Sequence, residues 1–130
     1  MLLIERMAWI SAQLQTVDLV YNNEYDLQAE IHATLTTAGA TVDREVTFAN
    51  SGNRIDMFVQ VNGYDPYEPG IGLEVKTEGS TNDVRRQLQR YADEGFIGGL
   101  ILVTTRTRHR MPTELNGKPV LTVLLLGAAL

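Results

Sequence analysis

Residues 72–76 read Gly-Leu-Glu-Val-Lys and place a carboxylate and an ammonium group, Glu74 and Lys76, two positions apart. Side chains alternate between the two faces of a strand, so Glu74 and Lys76 share one face. A second carboxylate, Asp56, interrupts an otherwise apolar run in the preceding segment. A buried carboxylate costs free energy unless it is paired or bound to a cation. If the two segments pair as strands, Asp56, Glu74 and Lys76 converge in one place.

Two carboxylates beside a lysine match the needs of a hard divalent cation. Mg²⁺ and Mn²⁺ prefer oxygen ligands and keep several waters, so two carboxylates, a backbone carbonyl and water suffice. The cation lowers the pKa of a bound water and neutralises charge on a phosphodiester. An adjacent ammonium group such as Lys76 can orient that water and stabilise the pentavalent transition state. These are the parts needed for phosphodiester hydrolysis.

The composition excludes several other chemistries. Cysteine is absent, which rules out a disulfide scaffold, a thiolate nucleophile and a Cys-ligated metal. Two histidines leave little for a His-rich metal site or a Ser–His triad. The net charge of -5 argues against nonspecific coating of nucleic acid. The charge is uneven, because residues 1–70 carry 10 acids and 3 bases whereas residues 71–130 carry 6 acids and 8 bases.

The elements that position these residues follow from hydrophobic periodicity in a chain of 130 residues, which is long enough for one domain. Asn22 or Asn23 can cap the second helix, and Ser80 or Thr81 the third. Helices are expected over 1–20, 24–38 and 81–94. Strands are expected over 42–49, 55–61, 71–77, 100–105 and 119–127. Simple alternation along 55–61 would put Ile55, Met57, Val59 and Val61 on one face. The segment 107–118 is expected to be a polar, basic loop.

Asp56 followed by Glu74-Val75-Lys76 resembles the core motif of the PD-(D/E)XK nuclease superfamily, although Ile55 stands where that motif has proline. The resemblance covers about residues 24–106, with helix 1–20 and strand 119–127 as additions. It implies a single α/β domain over 1–130 with a restriction-endonuclease-like core. The expected core is a mixed central sheet flanked by helices, in the order α-α-β-β-β-α-β-β.

The same resemblance implies a Mg²⁺-dependent deoxyribonuclease in which Mn²⁺ can substitute. Asp56, Glu74 and the Val75 carbonyl would hold the cation, and Lys76 would assist the attacking water. The superfamily commonly has a glutamate on the helix before the sheet. Glu24 is expected in that role because it lies near the centre of the apolar arc of its helix, with Glu30 as the alternative.

Residues 87–91 read Gln-Leu-Gln-Arg-Tyr, which is similar to the QxxxY element of RecB-like members. Gln87 and Tyr91 lie on one helical face. By resemblance, Gln87 would touch the active site, and Tyr91 would buttress it or approach the DNA. Two clusters of arginines are expected to contact the phosphate backbone, namely Arg85, Arg86, Arg90, Arg106, Arg108 and Arg110.

Each of these residues also has a plain structural interpretation. Glu74 and Lys76 could form a surface ion pair, and Glu24 could be an acid favoured by the helix dipole. Gln87 could be solvated beside a core tyrosine, Tyr91. The arginines could form solvated faces of a helix and a loop.

The function expected from these residues is a structure-selective or repair- and recombination-type DNA endonuclease. The alternatives are a RecB-like exonuclease module, a catalytically silent DNA-binding or regulatory protein of the same fold, and an acidic interaction protein. A homodimer through the first helix and last strand is expected, with no organic cofactor. The apolar run 120–130 is too short to span a bilayer, so we expect no membrane association. The absence of a signal-like segment and of cysteine predicts a cytoplasmic location.

Overall fold

A computed structural model describes residues 1–126 of the chain. Its helices are α1 (Leu3–Gln15), α2 (Glu24–Thr37) and α3 (Thr81–Ala92). Its strands are β1 (Val42–Thr47), β2 (Arg54–Val59), β3 (Gly70–Lys76), β4 (Ile97–Thr104), β5 (Glu114–Leu115) and β6 (Lys118–Leu124). The predicted order lacks β5, which forms inside the segment 107–118 that was expected to be a loop. The predicted end of the last strand, residue 127, lies outside the described residues.

The strands form a six-stranded sheet in the order β1-β2-β3-β4-β6-β5. The strands β1, β2 and β3 pair antiparallel, whereas β3, β4 and β6 are parallel. The short strand β5 returns antiparallel to β6. The prediction of an α/β chain with a mixed sheet is therefore confirmed.

Helices cover both faces of this sheet, which gives two apolar cores. One core joins α1 and α2 to one sheet face, with Ile31, Leu73 and Val103 among its members. The other core joins α3 to the opposite face, with Leu88 and Leu102 among its members. The continuous apolar run in β4 suits a strand that is buried on both faces. Within the part of the chain that the structure describes, none of the helices combines the length and apolarity needed to cross a membrane.

The helix starts agree with the capping residues in the sequence, but α1 is shorter than predicted. The Asn23 side chain accepts a hydrogen bond from the Asp26 N–H at 2.8 Å at the start of α2. The Ser80 hydroxyl accepts one from the Asp83 N–H at 3.2 Å at the start of α3. The helix α1 ends at Gln15 rather than near residue 20, because the chain turns so that Leu19 enters the core.

The strands β1 and β2 change face in mid-strand, against the simple alternation predicted for β2. Ile55 packs in the core beneath α3, whereas Met57 packs in the core beneath α1 and α2. The break falls at Asp56, opposite a point in β1 where Glu45 has a left-handed φ of 51°. A non-glycine residue adopts that conformation only at a cost in free energy. Asp56 therefore lies where the local twist redirects its side chain.

Candidate active site

The backbone pairing of β2 with β3 ends just before the two predicted carboxylates. Beyond that point, hydrogen bonds from the carboxylate side chains link the two strands. The last backbone pair is Met57 with Leu73. Beyond it, the Asp56 N–H donates to Glu74 Oε1 at 3.2 Å. In return the Val75 N–H donates to Asp56 Oδ2 at 2.8 Å. The two carboxylates are thus held side by side by reciprocal bonds to each other's strand.

Glu74 is the buried centre of this arrangement, with 2% of its surface exposed. Lys76 Nζ lies 3.5 Å from Glu74 Oε2, as expected from their shared strand face. The Tyr91 hydroxyl lies at the same distance, 3.5 Å, from that oxygen. The structure therefore brings Asp56, Glu74, Lys76 and Tyr91 together, and it makes the Glu74–Lys76 pair a half-buried contact rather than a surface ion pair.

Burial raises the pKa values of both carboxylates. Desolvation and the nearby charge of Asp56 raise the pKa of Glu74 to about 8, although Lys76 opposes this shift. Desolvation also raises the pKa of Asp56, against the hydrogen bond from Val75, and the charge of Glu24 adds to the increase. Without a cation, Glu74 therefore mostly keeps its proton at neutral pH, because one lysine does not offset two ionised carboxylates in this buried place.

The uncompensated charge and the remaining oxygens fit a hard divalent cation. Each carboxylate uses one oxygen for a backbone N–H, which leaves one oxygen on Asp56 and Glu74 Oε2 as anionic donors. Such oxygen donors suit Mg²⁺, which needs few protein ligands because it keeps its waters. Among residues 1–126, no group of three or more His, Asp or Glu side chains is arranged to hold a metal. A site here would draw its other ligands from water and main chain, and Val75 as a carbonyl ligand stays a prediction.

Glu24, the predicted helix acid, lies in the first turn of α2 and contacts the end of β3. Its Oε1 accepts a hydrogen bond from the Thr77 N–H at 2.8 Å, directly after β3. It is half-buried, whereas the alternative acid Glu30 is exposed on the same helix. Glu24 thus ties the start of α2 to the end of β3 and adds negative charge near Asp56.

Gln87 and Tyr91 form a chain of hydrogen bonds behind Glu74. The Gln87 side-chain amide donates to the Tyr91 hydroxyl at 2.8 Å, and that hydroxyl donates to the Arg54 carbonyl at 2.7 Å. Burial and the Glu74 charge raise the pKa of Tyr91, which keeps its phenol protonated. Tyr91 is buried, so its position fits the predicted buttressing role rather than a DNA contact. Gln87 reaches Glu74 through Tyr91.

The predicted arginines on α3 lie on its exposed surface. Arg86 pairs with Asp83 one turn earlier, and this contact lowers the pKa of Asp83. Arg85 and Arg90 have no carboxylate within 4.0 Å among the described residues. The charge available to a phosphate on α3 therefore comes first from Arg85 and Arg90.

The predicted arginines after β4 are mostly engaged with the loop after β3. Arg106 donates through Nε to the Thr77 carbonyl at 2.7 Å and pairs with Glu78. Arg108 lies 3.6 Å from Glu78 and donates to the Gly79 carbonyl at 3.2 Å. Arg110 is exposed. Two of these three arginines therefore join two loops.

His109 and Thr104 complete this loop junction, and the sequence interpretation missed them. His109 is buried, and its Nε2 donates to the Gly79 carbonyl at 2.7 Å. Its Nδ1 lies 2.6 Å from the Thr104 hydroxyl at the end of β4. Neither this junction nor Glu78 had a local sequence signal, because its partners lie in separate loops that only the parallel pairing of β3 and β4 brings together.

No protein-family model, curated protein or solved structure matches this chain. The geometry of its own residues is therefore what indicates a function. That geometry joins Asp56, Glu74 and Lys76 at one end of the sheet, with Glu24 and Tyr91 supporting them from opposite faces.

Proposed function

We propose that this protein is a Mg²⁺-dependent deoxyribonuclease of the PD-(D/E)XK type, built on a restriction-endonuclease-like core. The observation that carries the proposal is the pair of buried carboxylates, Asp56 and Glu74, locked by reciprocal backbone hydrogen bonds beside Lys76. A surface ion pair that matched the motif by chance would not require two buried carboxylates bonded in this way. Carboxylates with raised pKa values, aligned with a lysine, are typical of functional sites.

The proposed roles follow from the contacts of each residue. Asp56, Glu74 and the Val75 carbonyl would hold Mg²⁺, for which Mn²⁺ could substitute. Such a cation, when bound, would supply an acidified water and charge neutralisation. Lys76 would orient the attacking water and stabilise the charge that develops on the phosphate oxygens. Glu24 fixes the end of β3, and Gln87 holds Tyr91 against Glu74.

The proposed substrate is DNA cut internally, in the manner of a structure-selective or repair and recombination enzyme. Arg85, Arg90 and Arg110 supply exposed positive charge for phosphate contacts. The net charge of -5 makes binding to generic duplex weak and sensitive to salt. Recognition of DNA structure, a homodimer through α1 and β6, and a cytoplasmic location are parts of the same proposal. Sedimentation analysis of the purified protein tests the dimer.

The test is a cleavage assay on plasmid, linear duplex, single-stranded and four-way-junction DNA with Mg²⁺, Mn²⁺ or EDTA. We expect metal-dependent cutting, and we expect Lys76→Ala to slow it by about 10²-fold or more. The matched control is Lys118→Ala, since Lys76 and Lys118 are the two lysines of the chain. Lys118 donates to the Glu94 carbonyl, away from the carboxylates. Its removal should leave the rate within about twofold of the parent.

The outcomes separate the alternatives. Absence of cutting with either metal ends the enzyme proposal, and DNA binding without cutting indicates a silent member of the fold. Cutting only from DNA ends indicates an exonuclease. If Lys76→Ala cuts as fast as the parent, the assignment of the site is wrong.

A further inference from the structure

A second cationic feature is the pair of Arg44, in β1, and Tyr25, in the first turn of α2. The Arg44 guanidinium carbon lies 5.6 Å from the centre of the Tyr25 ring. Tyr25 itself remains 64% exposed at the start of α2. Stacking on an aromatic ring orients a guanidinium while leaving its charge available to an anion.

Arg44 carries its charge without a protein acceptor. Its Nε is buried and has no hydrogen-bond partner within residues 1–126. No carboxylate in that part of the chain comes within 4.0 Å of it. A half-buried cation held in one orientation without a counter-charge is costly to the free protein. An anionic ligand would offset that cost.

The pair of Arg6 and Trp9 on α1 shows the ordinary form of this contact. Arg6 lies 4.7 Å from the centre of the Trp9 ring. Its Nε donates to the Val61 carbonyl at 2.8 Å, so the polar group is satisfied within the fold. The difference between the two pairs is that Arg44 lacks such an acceptor.

Arg44 is the last residue of β1 before the strand changes face. Glu45 has a φ of 51°, and the strand changes face there. Val42 packs against the core beneath α1 and α2, whereas Val46 packs against the core beneath α3. Arg44 stays on the α2 side, where Tyr25 meets it. Ordinary alternation from Val42 places Arg44 on that side, and the strain at Glu45 turns only the rest of β1.

Two connections link the Arg44–Tyr25 pair to the segments that carry the site residues. Arg44 pairs in register with Met57, the neighbour of Asp56. Tyr25 follows Glu24, which binds the Thr77 N–H at the end of β3. The first turn of α2 therefore bridges from β1 to β3 across the end of β2 that carries Asp56.

We propose that Arg44 and Tyr25 form a positioning site for a nucleic-acid strand that flanks the scissile phosphate and has unpaired bases. This inference rests on the proposed nuclease function. Arg44 contacts a phosphate next to the one being cleaved. The open part of the Tyr25 ring stacks with an unpaired base, which favours single-stranded and branched substrates over continuous duplex.

The binding test uses fluorescence anisotropy of a labelled single-stranded 20-mer and its duplex, with Ca²⁺ replacing Mg²⁺. We expect Arg44→Ala to weaken binding of both probes about tenfold. It should also reduce the slope of log affinity against log salt by about 0.7 for the single strand and about 0.9 for the duplex. Arg44→Lys should restore the salt slope. The matched control Arg6→Ala should change neither quantity.

The stacking test compares Tyr25→Ala with Tyr25→Phe on the same probes. We expect Tyr25→Ala to weaken single-strand binding by about fivefold or more and duplex binding by less than about twofold. Tyr25→Phe should bind as the parent does, since it keeps the ring. In the cleavage assay, both alanine variants should raise KM and leave kcat within about twofold.

These results separate the inference from the nuclease proposal. If the parent cuts DNA but Arg44→Ala matches Arg6→Ala in affinity and salt slope, the positioning site is refuted and the nuclease proposal stands. If the parent binds without cutting, the nuclease proposal fails while the affinities still decide the inference. If the parent binds neither probe, both are refuted. Unchanged thermal unfolding of the variants shows that folding is not the cause.

Discussion

The carboxylates at the end of β3 and the arginines beyond β4 lie at the same end of the sheet, but their charges are balanced in different ways. Asp56 and Glu74 are buried together with one lysine, and their pKa values are raised. Arg106 and Arg108 are partly exposed and share the carboxylate of Glu78. The buried group thus has two acids for one base, whereas the more exposed group has two bases for one acid.

This difference distinguishes charged groups that would bind a ligand from charged groups that stabilise the fold. A protein gains nothing in stability from two carboxylates forced together in a dry site. A loop junction gains from arginines that donate to backbone carbonyls and share one acid. Fewer arginines are therefore available to DNA than the clusters in the sequence indicate. The carboxylates, in contrast, need a cation more than their spacing in the sequence indicates.

The largest expected effect is that of Glu74→Gln on both activity and stability. Loss of one anionic ligand should reduce metal-dependent cleavage by about 10²-fold or more. In metal-free buffer at pH 8, the same change should raise the free energy of unfolding by about 1–4 kcal/mol, because it removes a carboxylate whose ionisation is disfavoured. Denaturant unfolding in EDTA measures the second effect. Glu30→Gln, an exposed acid on α2, is the control and should change neither quantity.

A destabilised Glu74→Gln variant would contradict the comparison, because it would mean that the ionised carboxylate supports the fold. A variant that is more stable but still fully active would indicate that Glu74 is strained without serving a cation.

The next effect is the pH dependence of the parent without metal. The pKa of Glu74 rises from 4.5 in the unfolded chain to about 8 in the folded protein. The folded state keeps a proton that the unfolded state releases, so the contribution of Glu74 to stability is greatest below pH 4.5 and falls as pH rises to 8. We expect this group to remove about 2–4 kcal/mol over that window in EDTA.

Magnesium should cancel most of this loss, since it binds the deprotonated site. Chemical denaturation at several pH values, with EDTA or with Mg²⁺, measures both curves. If the two curves have the same slope, the raised pKa is unrelated to a cation site.

The smallest expected effect is on DNA binding by Arg106 and Arg108, the two arginines that share Glu78. Glu78→Gln should free Arg106 and Arg108 and strengthen binding of duplex DNA about two- to fivefold at low salt, with a steeper salt dependence. Its cost in stability should stay below about 1 kcal/mol, because the ion pairs are exposed. Anisotropy titrations at several salt concentrations test this, with Glu114→Gln as the control for a change in net charge. Equal gains in the two variants would show that Glu78 does not restrain these arginines.

The chemistry of the site was readable in the sequence because it depends on short spacings. Strand alternation placed Glu74 beside Lys76, and helical spacing placed Gln87 beside Tyr91. The capping residues Asn23 and Ser80 likewise act on their own helices. Each of these relations joins residues within a turn or two of the chain, where local geometry alone determines the contact.

Other features of the site were not readable, because they depend on strand register and twist. The reciprocal bonds of Asp56 and Glu74 arise where the β2–β3 ladder ends, and the redirection of Asp56 depends on the left-handed Glu45 in a neighbouring strand. The prediction that Ile55 and Met57 face the same side of the sheet was wrong for the same reason. The short strand β5 forms only because β6 offers it an edge.

The sequence by itself determined that this chain is an α/β domain, which residues could do chemistry, and where its helices start. Periodicity and local hydrogen bonding carry that information from neighbour to neighbour. Only the tertiary structure decided that Glu74 is buried with Asp56, that Glu78 engages Arg106, and that Arg44 stands over Tyr25 without an acceptor. Those outcomes depend on desolvation and on contacts between distant segments, which exist only once the sheet has assembled.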